Sequence, residues 1–209
     1  SAMLPLLIIA SSGLSTMLIH QWLKRATHTQ SLMAYTAPFV GLGWVLLCLN
    51  TSAPSAIPVV QPVNAMSLIK GLFSGIGQVM LLPHPLAGVL IVIGLWFSQW
   101  RAAAWALAGS LAGLAFSMYQ QDTAAALNGL AGYNPALVAL ALSQQRRQPW
   151  LPLMGIGAAL LLTPGFHALG LPPLTAPFIL SCWLVHASVR VLKPRANRRP
   201  EESGLRIER

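Results

Sequence analysis

The sequence predicts an all-α, polytopic membrane protein, and three observations carry that prediction: too little charge, long uncharged stretches, and basic residues gathered on one side. Of 209 residues, 55% are apolar and 8% charged, with a mean hydropathy of +0.63. An ordinary soluble domain carries about 25% charged residues. Thirteen basic and four acidic side chains cannot clothe a soluble fold of this length. They are also unevenly placed: Asp122 is the only charge between Arg101 and Arg146, and none lies between Arg147 and Arg190. A charge at the centre of a membrane helix costs about 2.5–3.5 kcal/mol, whereas each Leu, Ile, Phe or Val favours insertion by about 0.3–0.6 kcal/mol. Stretches this long and uncharged therefore partition into lipid.

Polar, Pro and Gly punctuation divides the chain into seven candidate spans: Leu4–Trp22, Leu32–Asn50, Pro85–Trp100, Ala102–Met118, Ala124–Ser143, Trp150–His167 and Leu171–Leu192. Each is close to the roughly 17–25 residues a crossing needs, Pro85–Trp100 being slightly short. An eighth run, Ser67–Leu82, lies between a loop with three prolines (Thr51–Asn64) and the breakers Pro83 and Pro85. It carries Lys70 and Gln78 and reads as a re-entrant half-helix. Seven crossings with a cytoplasmic C-terminus place Lys24-Arg25, Arg101 and Arg146-Arg147 in the cytoplasm, as the positive-inside rule requires. Lys70, Asp122 and the N-terminus then fall outside, and Trp22, Trp96, Trp100 and Trp150 stand at span ends, where an aromatic belt belongs. Counting Ser67–Leu82 as a full crossing would break this pattern.

The net charge of +9 does not indicate a nucleic-acid partner. Six of the thirteen basic residues lie in the tail 193–209, which also holds Glu201, Glu202 and Glu208, contains no aromatic residue for base stacking, and follows directly on an apolar span. It reads as a topology anchor in contact with lipid headgroups. Cys48 and Cys182 both sit in apolar stretches and read as small hydrophobes. No His or Cys spacing suggests a metal site, and no cofactor is expected. Ser1-Ala2 ahead of Met3 reads as an expression remnant.

The chain also repeats itself. Tyr35-Thr36-Ala37-Pro38-Phe39 recurs as Leu174-Thr175-Ala176-Pro177-Phe178, with a tryptophan following in each case (Trp44 and Trp183). Upstream, Leu4-Pro5-Leu6-Leu7 recurs as Leu151-Pro152-Leu153-Met154. The predicted topology runs the two Thr-Ala-Pro-Phe spans in opposite directions, the mark of inverted repeats, which place solute sites near the midplane at discontinuous helices.

Three motifs, in order, resemble the urea transporter family. They are Gly75-Ile76-Gly77-Gln78-Val79-Met80 with Pro85-Leu86-Ala87-Gly88; Gly129-Leu130-Ala131-Gly132-Tyr133-Asn134 with Leu137; and Leu171-Pro172-Pro173-Leu174-Thr175-Ala176-Pro177-Phe178. The resemblance covers Leu4 to Leu192. It implies a homotrimer in a bacterial inner (plasma) membrane, each subunit having its own pore between two inverted repeats of five spans and a re-entrant helix. Urea would pass single file through a flat slot walled by aromatic or aliphatic groups and lined by oxygen acceptors. By motif, Gln78 would accept urea N–H groups, Tyr133 and Leu137 would form slot walls, and Thr175 and Thr36 would line the constriction. Leu81 stands where the family has an aromatic wall, so one flat clamp is missing.

On this reading residues 1–50 are the last two spans of the first repeat and 51–66 an external loop. Residues 67–192 form a complete second repeat, and 193–209 are the cytoplasmic tail. The glutamine motif and Gly-aromatic-Asn motif of a first repeat do not occur in these 209 residues. The alternative is therefore a truncated or non-conducting membrane scaffold or oligomerisation protein of the same fold.

The residue types suit the chemistry. Urea is planar, neutral and rich in donors, and stripping an amide of water without compensation costs roughly 2–7 kcal/mol. Side-chain oxygens of Gln78, Thr36 and Thr175 would replace that water, with flat apolar walls disfavouring hydrated ions. Each residue also has a structural reading: Gln78 as a helix–helix hydrogen bonder, the threonines bonding their own backbone near Pro38 and Pro177, Tyr133 as a core or belt aromatic, and Asn134 tying a helix break together. An intramembrane enzyme would need paired carboxylates or a nucleophile with its base, and the spans offer neither. A proton-coupled carrier would need an ionisable group at depth, and Asp122, the one candidate, falls at an outer loop.

Overall fold

The computed structural model describes residues 36–49, 62–144 and 148–192, together with 13, 14, 16–19 and 21, which are helical. Most of the run Leu4–Trp22, most of the loop Thr51–Asn64 and the tail 193–209 lie outside the described residues, as does the side chain of Cys48. The described residues form helices without strands: α1 (Ala37–Leu49), α2 (Ala65–Gln78), α3 (Pro85–Tyr119), α4 (Thr123–Leu127), α5 (Tyr133–Ser143), α6 (Trp150–Ala168) and α7 (Ala176–Leu192). Among them, α3 and α6 are long and apolar enough to cross a membrane.

Helix α2 starts at a capping box: Asn64 Oδ1 accepts the Ser67 N–H at 2.8 Å and Ser67 Oγ accepts the Asn64 N–H at 2.9 Å. Its 14 residues reach about 21 Å, short of the roughly 30 Å hydrocarbon core. The chain then turns through Leu81, which has a left-handed φ of 58°. His84 Nδ1 accepts the Leu86 N–H at 3.3 Å and Pro85 occupies the first helical position, where its missing N–H costs nothing.

Helix α3 is two helical limbs joined at a kink, where Gln99 has non-helical angles (φ −152°, ψ 92°). The packing shows what this kink does. A Cβ at Gly88 would fall 1.8 Å from the Phe73 carbonyl oxygen, and Ser110 Oγ donates to the Leu72 carbonyl at 2.7 Å. Both limbs therefore touch the same turn of α2, whereas in a straight helix Gly88 and Ser110 would stand about 33 Å apart. The helix doubles back at Gln99, so Pro85–Trp100 and Ala102–Met118 are separate limbs, as the sequence suggests, with the break two residues before Arg101.

The run Ala124–Ser143, expected as one span, is broken. Helix α4 lasts five residues, turns occupy 128–132, and α5 begins at Tyr133. The cause is Gly129, whose φ of 76° no helix accommodates and whose α-carbon lies close against the Ser74–Gly75 backbone of α2. The last run, Leu171–Leu192, likewise becomes helical only at Ala176.

Small and polar groups are buried beside apolar side chains such as Ile76, Leu142 and Leu151, and many large apolar ones lie outside. Ser110 and Ser181 are completely buried and Asn134 is 2% exposed, while Leu90, Phe97, Leu161 and Val191 stand 68–86% exposed. Small residues let helices approach closely, and the exposed aliphatic surface suits lipid. Trp96 and Trp100 are exposed beside the Gln99 kink, and Trp150 is exposed at the start of α6. Cys182 is buried in the apolar cluster formed by α5, α6 and α7 with Val40 of α1.

Candidate functional site

The broken segment 126–136 is wedged between α2 and the second limb of α3, and it brings the motif residues together. Gly113 faces the Ala131 carbonyl, where an added Cβ would come within 2.2 Å, so nothing larger than glycine lets the segment approach α3 this closely. From α2, Ser74 Oγ and Gln78 Nε2 each point to the Asn128 carbonyl at 3.5 Å, the long limit of a hydrogen bond. That contact uses the donor end of the half-buried Gln78 amide and leaves its oxygen as the end able to accept.

The first turn of α5 reaches the loop before α7. The Tyr133 hydroxyl and Asn134 Nδ2 both donate to the Leu174 carbonyl, the latter at 2.9 Å. Leu174 has φ 42°, left-handed for a leucine. Its neighbour Thr175 meets Thr36, the two hydroxyls lying 2.8 Å apart. The Thr36 carbonyl accepts the Val40 N–H and the Thr175 carbonyl accepts the Ile179 N–H, both at 3.1 Å, so each threonine stands at the start of its helix. The N-termini of α1 and α7 therefore meet. Trp44, two turns into α1, donates to the Pro172 carbonyl at 2.9 Å and stacks obliquely on Phe166, with ring centroids 5.8 Å apart.

A cavity of about 490 Å³ adjoins this junction, with Phe116, Asn128, Tyr133, Thr163 and Leu174 among its walls. Its lining also includes the exposed Gln120, Asp122 and His167, at and just beyond the ends of α3 and α6. Asp122 is partly committed there: Oδ1 accepts the Ala125 N–H at 3.0 Å, and its carbonyl accepts from Ser117 Oγ at 2.8 Å.

The structure thus joins Thr36, Thr175 and Tyr133 through the Leu174–Thr175 peptide, and places Gln78 against Asn128, a residue of the cavity wall, without bringing it to the threonine pair. Leu137, one turn along α5 from Tyr133, packs on the apolar cluster. Leu81 lies in the turn after α2, 75% exposed, its N–H bonded to the Gln78 carbonyl. Sequence reasoning missed the carbonyls of Asn128 and Leu174, since backbone acceptors have no residue signature; Gly129 was the only pointer to the first.

Two helix N-termini directed at a hydroxyl pair can receive a carbonyl oxygen, because each presents unpaired N–H groups and about half a positive charge. The hydroxyl oxygens, and separately the Gln78 amide oxygen, can accept N–H groups from such a solute. A polar, uncharged junction of this kind inside a lipid-compatible bundle suits a small neutral amide. In agreement with it, a family model described as urea transporter matches residues 1–189. The chain is a helical membrane protein and belongs to the urea transporter family.

Proposed function

We propose that the protein forms a passive, channel-type path for urea, and that the meeting of two helix N-termini at Thr36 and Thr175 is its constriction. That junction is the observation that carries the reading. It offers donors to the urea carbonyl and acceptors to its N–H groups, and neither threonine is ionisable. Solute enters from the cavity, passes the Tyr133 ring, and exchanges its water for the oxygens of Thr175, Thr36 and Gln78.

The same reading makes α2 a re-entrant half-helix, since its length is short of a crossing, and makes α1 and α7 counterparts in inverted repeats. Trp44 supports the latter: α1 leads past Pro172 and Phe166, residues that precede the start of α7. The basic tail faces the cytoplasm, the membrane is a bacterial plasma membrane, and three copies assemble, each with its own path; these features rest on the family and on the charge pattern.

Gln78 provides the test. Gln78→Leu removes one acceptor, worth about 0.5–1.5 kcal/mol net, and should lower urea flux roughly two- to tenfold with folding little changed. Flux per folded protein and thermal stability in detergent are measured on one preparation. Lower stability with unchanged flux would make Gln78 a packing residue and remove it from the path.

A further inference from the structure

We propose that Asn134, with the Tyr133 hydroxyl, is a positioning device that holds the Leu174 peptide and thereby sets the spacing of Thr36 and Thr175, and with it the size of amide admitted. The transport part of this rests on the function proposed above; the positioning part does not.

The argument starts from an unfavourable conformation. Leu174 has φ 42°, a region an L-residue with a bulky side chain rarely enters and leaves readily once free. Its carbonyl is held by two donors from consecutive residues of α5, Tyr133 Oη and Asn134 Nδ2. Neither donor is placed to bond solute while it holds that carbonyl, so Tyr133 offers a passing molecule only its ring.

Asn134 shows a cost that packing alone does not explain. The residue is 2% exposed, and its Oδ1 is buried with no partner. A buried, unsatisfied amide oxygen is destabilising, and an apolar side chain of similar volume would avoid it. The role that requires an amide here is donation to Leu174. The reversed amide is excluded, since it would set oxygen against oxygen.

The other face of the loop is held by α1, through Trp44 on the Pro172 carbonyl at 2.9 Å and Gly43 against Leu174 Cδ1. The Leu174–Thr175 peptide is therefore held from α5 on one side and α1 on the other. Removing the α5 donors releases that peptide, and with it the Thr175 hydroxyl that meets Thr36 at 2.8 Å. A constriction defined by a released residue discriminates size less well.

The test uses the full chain in proteoliposomes with two readouts. One is the permeability ratio of 1,3-dimethylurea to urea. The other needs no transport: the rate of disulfide formation between Thr36→Cys and Thr175→Cys, in a background with Cys48→Ala and Cys182→Ala. Asn134→Leu should raise the ratio and slow cross-linking, each by about threefold or more, as expected for loss of one buried hydrogen bond. Tyr133→Phe, which removes a single hydroxyl and keeps the ring, should shift both in the same direction and serves if Asn134→Leu fails to fold. Adding Leu174→Gly should restore cross-linking in part, because glycine enters this φ without the steric cost that leucine meets. A lowered melting temperature with both readouts unchanged would overturn the proposal and leave Asn134 a packing residue. Absence of urea flux in the unaltered chain would defeat the transport reading, while the cross-linking rates would still decide whether the peptide is held as described.

Discussion

Replacing Gly88 with alanine should leave little folded protein to assay. The added methyl would fall 1.8 Å from the Phe73 carbonyl oxygen and 2.6 Å from its carbon. Both belong to the backbone of α2, so no side-chain rotation relieves the clash, and α2 and the first limb of α3 would have to separate along their length. Overpacking typically costs about 1–3 kcal/mol, and more when backbone must move, out of a total stability of roughly 5–15 kcal/mol. Gly94→Ala is the internal control: it lies on the same limb with nothing within 4 Å of its added carbon. There alanine should be neutral or stabilising by about 0.5–1 kcal/mol through helix propensity. Monodispersity and melting temperature in detergent compare the two. Equal behaviour would mean that the α2–α3 contact is not as close as described.

The second large effect is expected at Thr175. Thr175→Leu removes the hydroxyl that meets Thr36 and adds bulk where two helix N-termini converge, so the constriction loses an acceptor and narrows at once. Urea flux should fall by more than about tenfold, a barrier increase above about 1.4 kcal/mol. Thr175→Ser keeps the oxygen and removes a methyl, and should retain flux within about threefold, since the net worth of the hydrogen bond is preserved. Stopped-flow measurements on both variants, normalised to folded protein, separate these outcomes. Equal flux in Thr175→Leu and the unaltered chain would place the path elsewhere.

These expectations show how much of the architecture could be read from residues. Uncharged length marked α3 and α6, and the charge at Arg101, unfavourable inside lipid, marked the reversal inside α3 two residues past its place at Gln99. Pro83, Pro85 and the shortness of the preceding run marked the end of α2. The break at 128–132 was hidden by its own composition: Gly-Leu-Ala-Gly is apolar enough to pass for a span, and only contact with α2 shows that Gly129 takes a left-handed angle. Of the candidate site, the repeated Thr-Ala-Pro-Phe motif pointed to Thr36 and Thr175, whose hydroxyls do meet. The conformation of Leu174 was illegible, because nothing in a leucine announces positive φ; it arises from Tyr133 and Asn134, some forty positions earlier in the sequence.

The central claim is that the folded chain conducts urea passively, and purified protein in proteoliposomes tests it most directly. Vesicles shifted into a urea gradient should recover volume faster with protein than without, in proportion to protein incorporated, and imposed proton or sodium gradients should neither speed the flux nor drive accumulation. Recovery no faster than in empty vesicles, from protein shown to be folded, would contradict the account in favour of a non-conducting scaffold; uphill accumulation on either gradient would contradict it in favour of a coupled carrier.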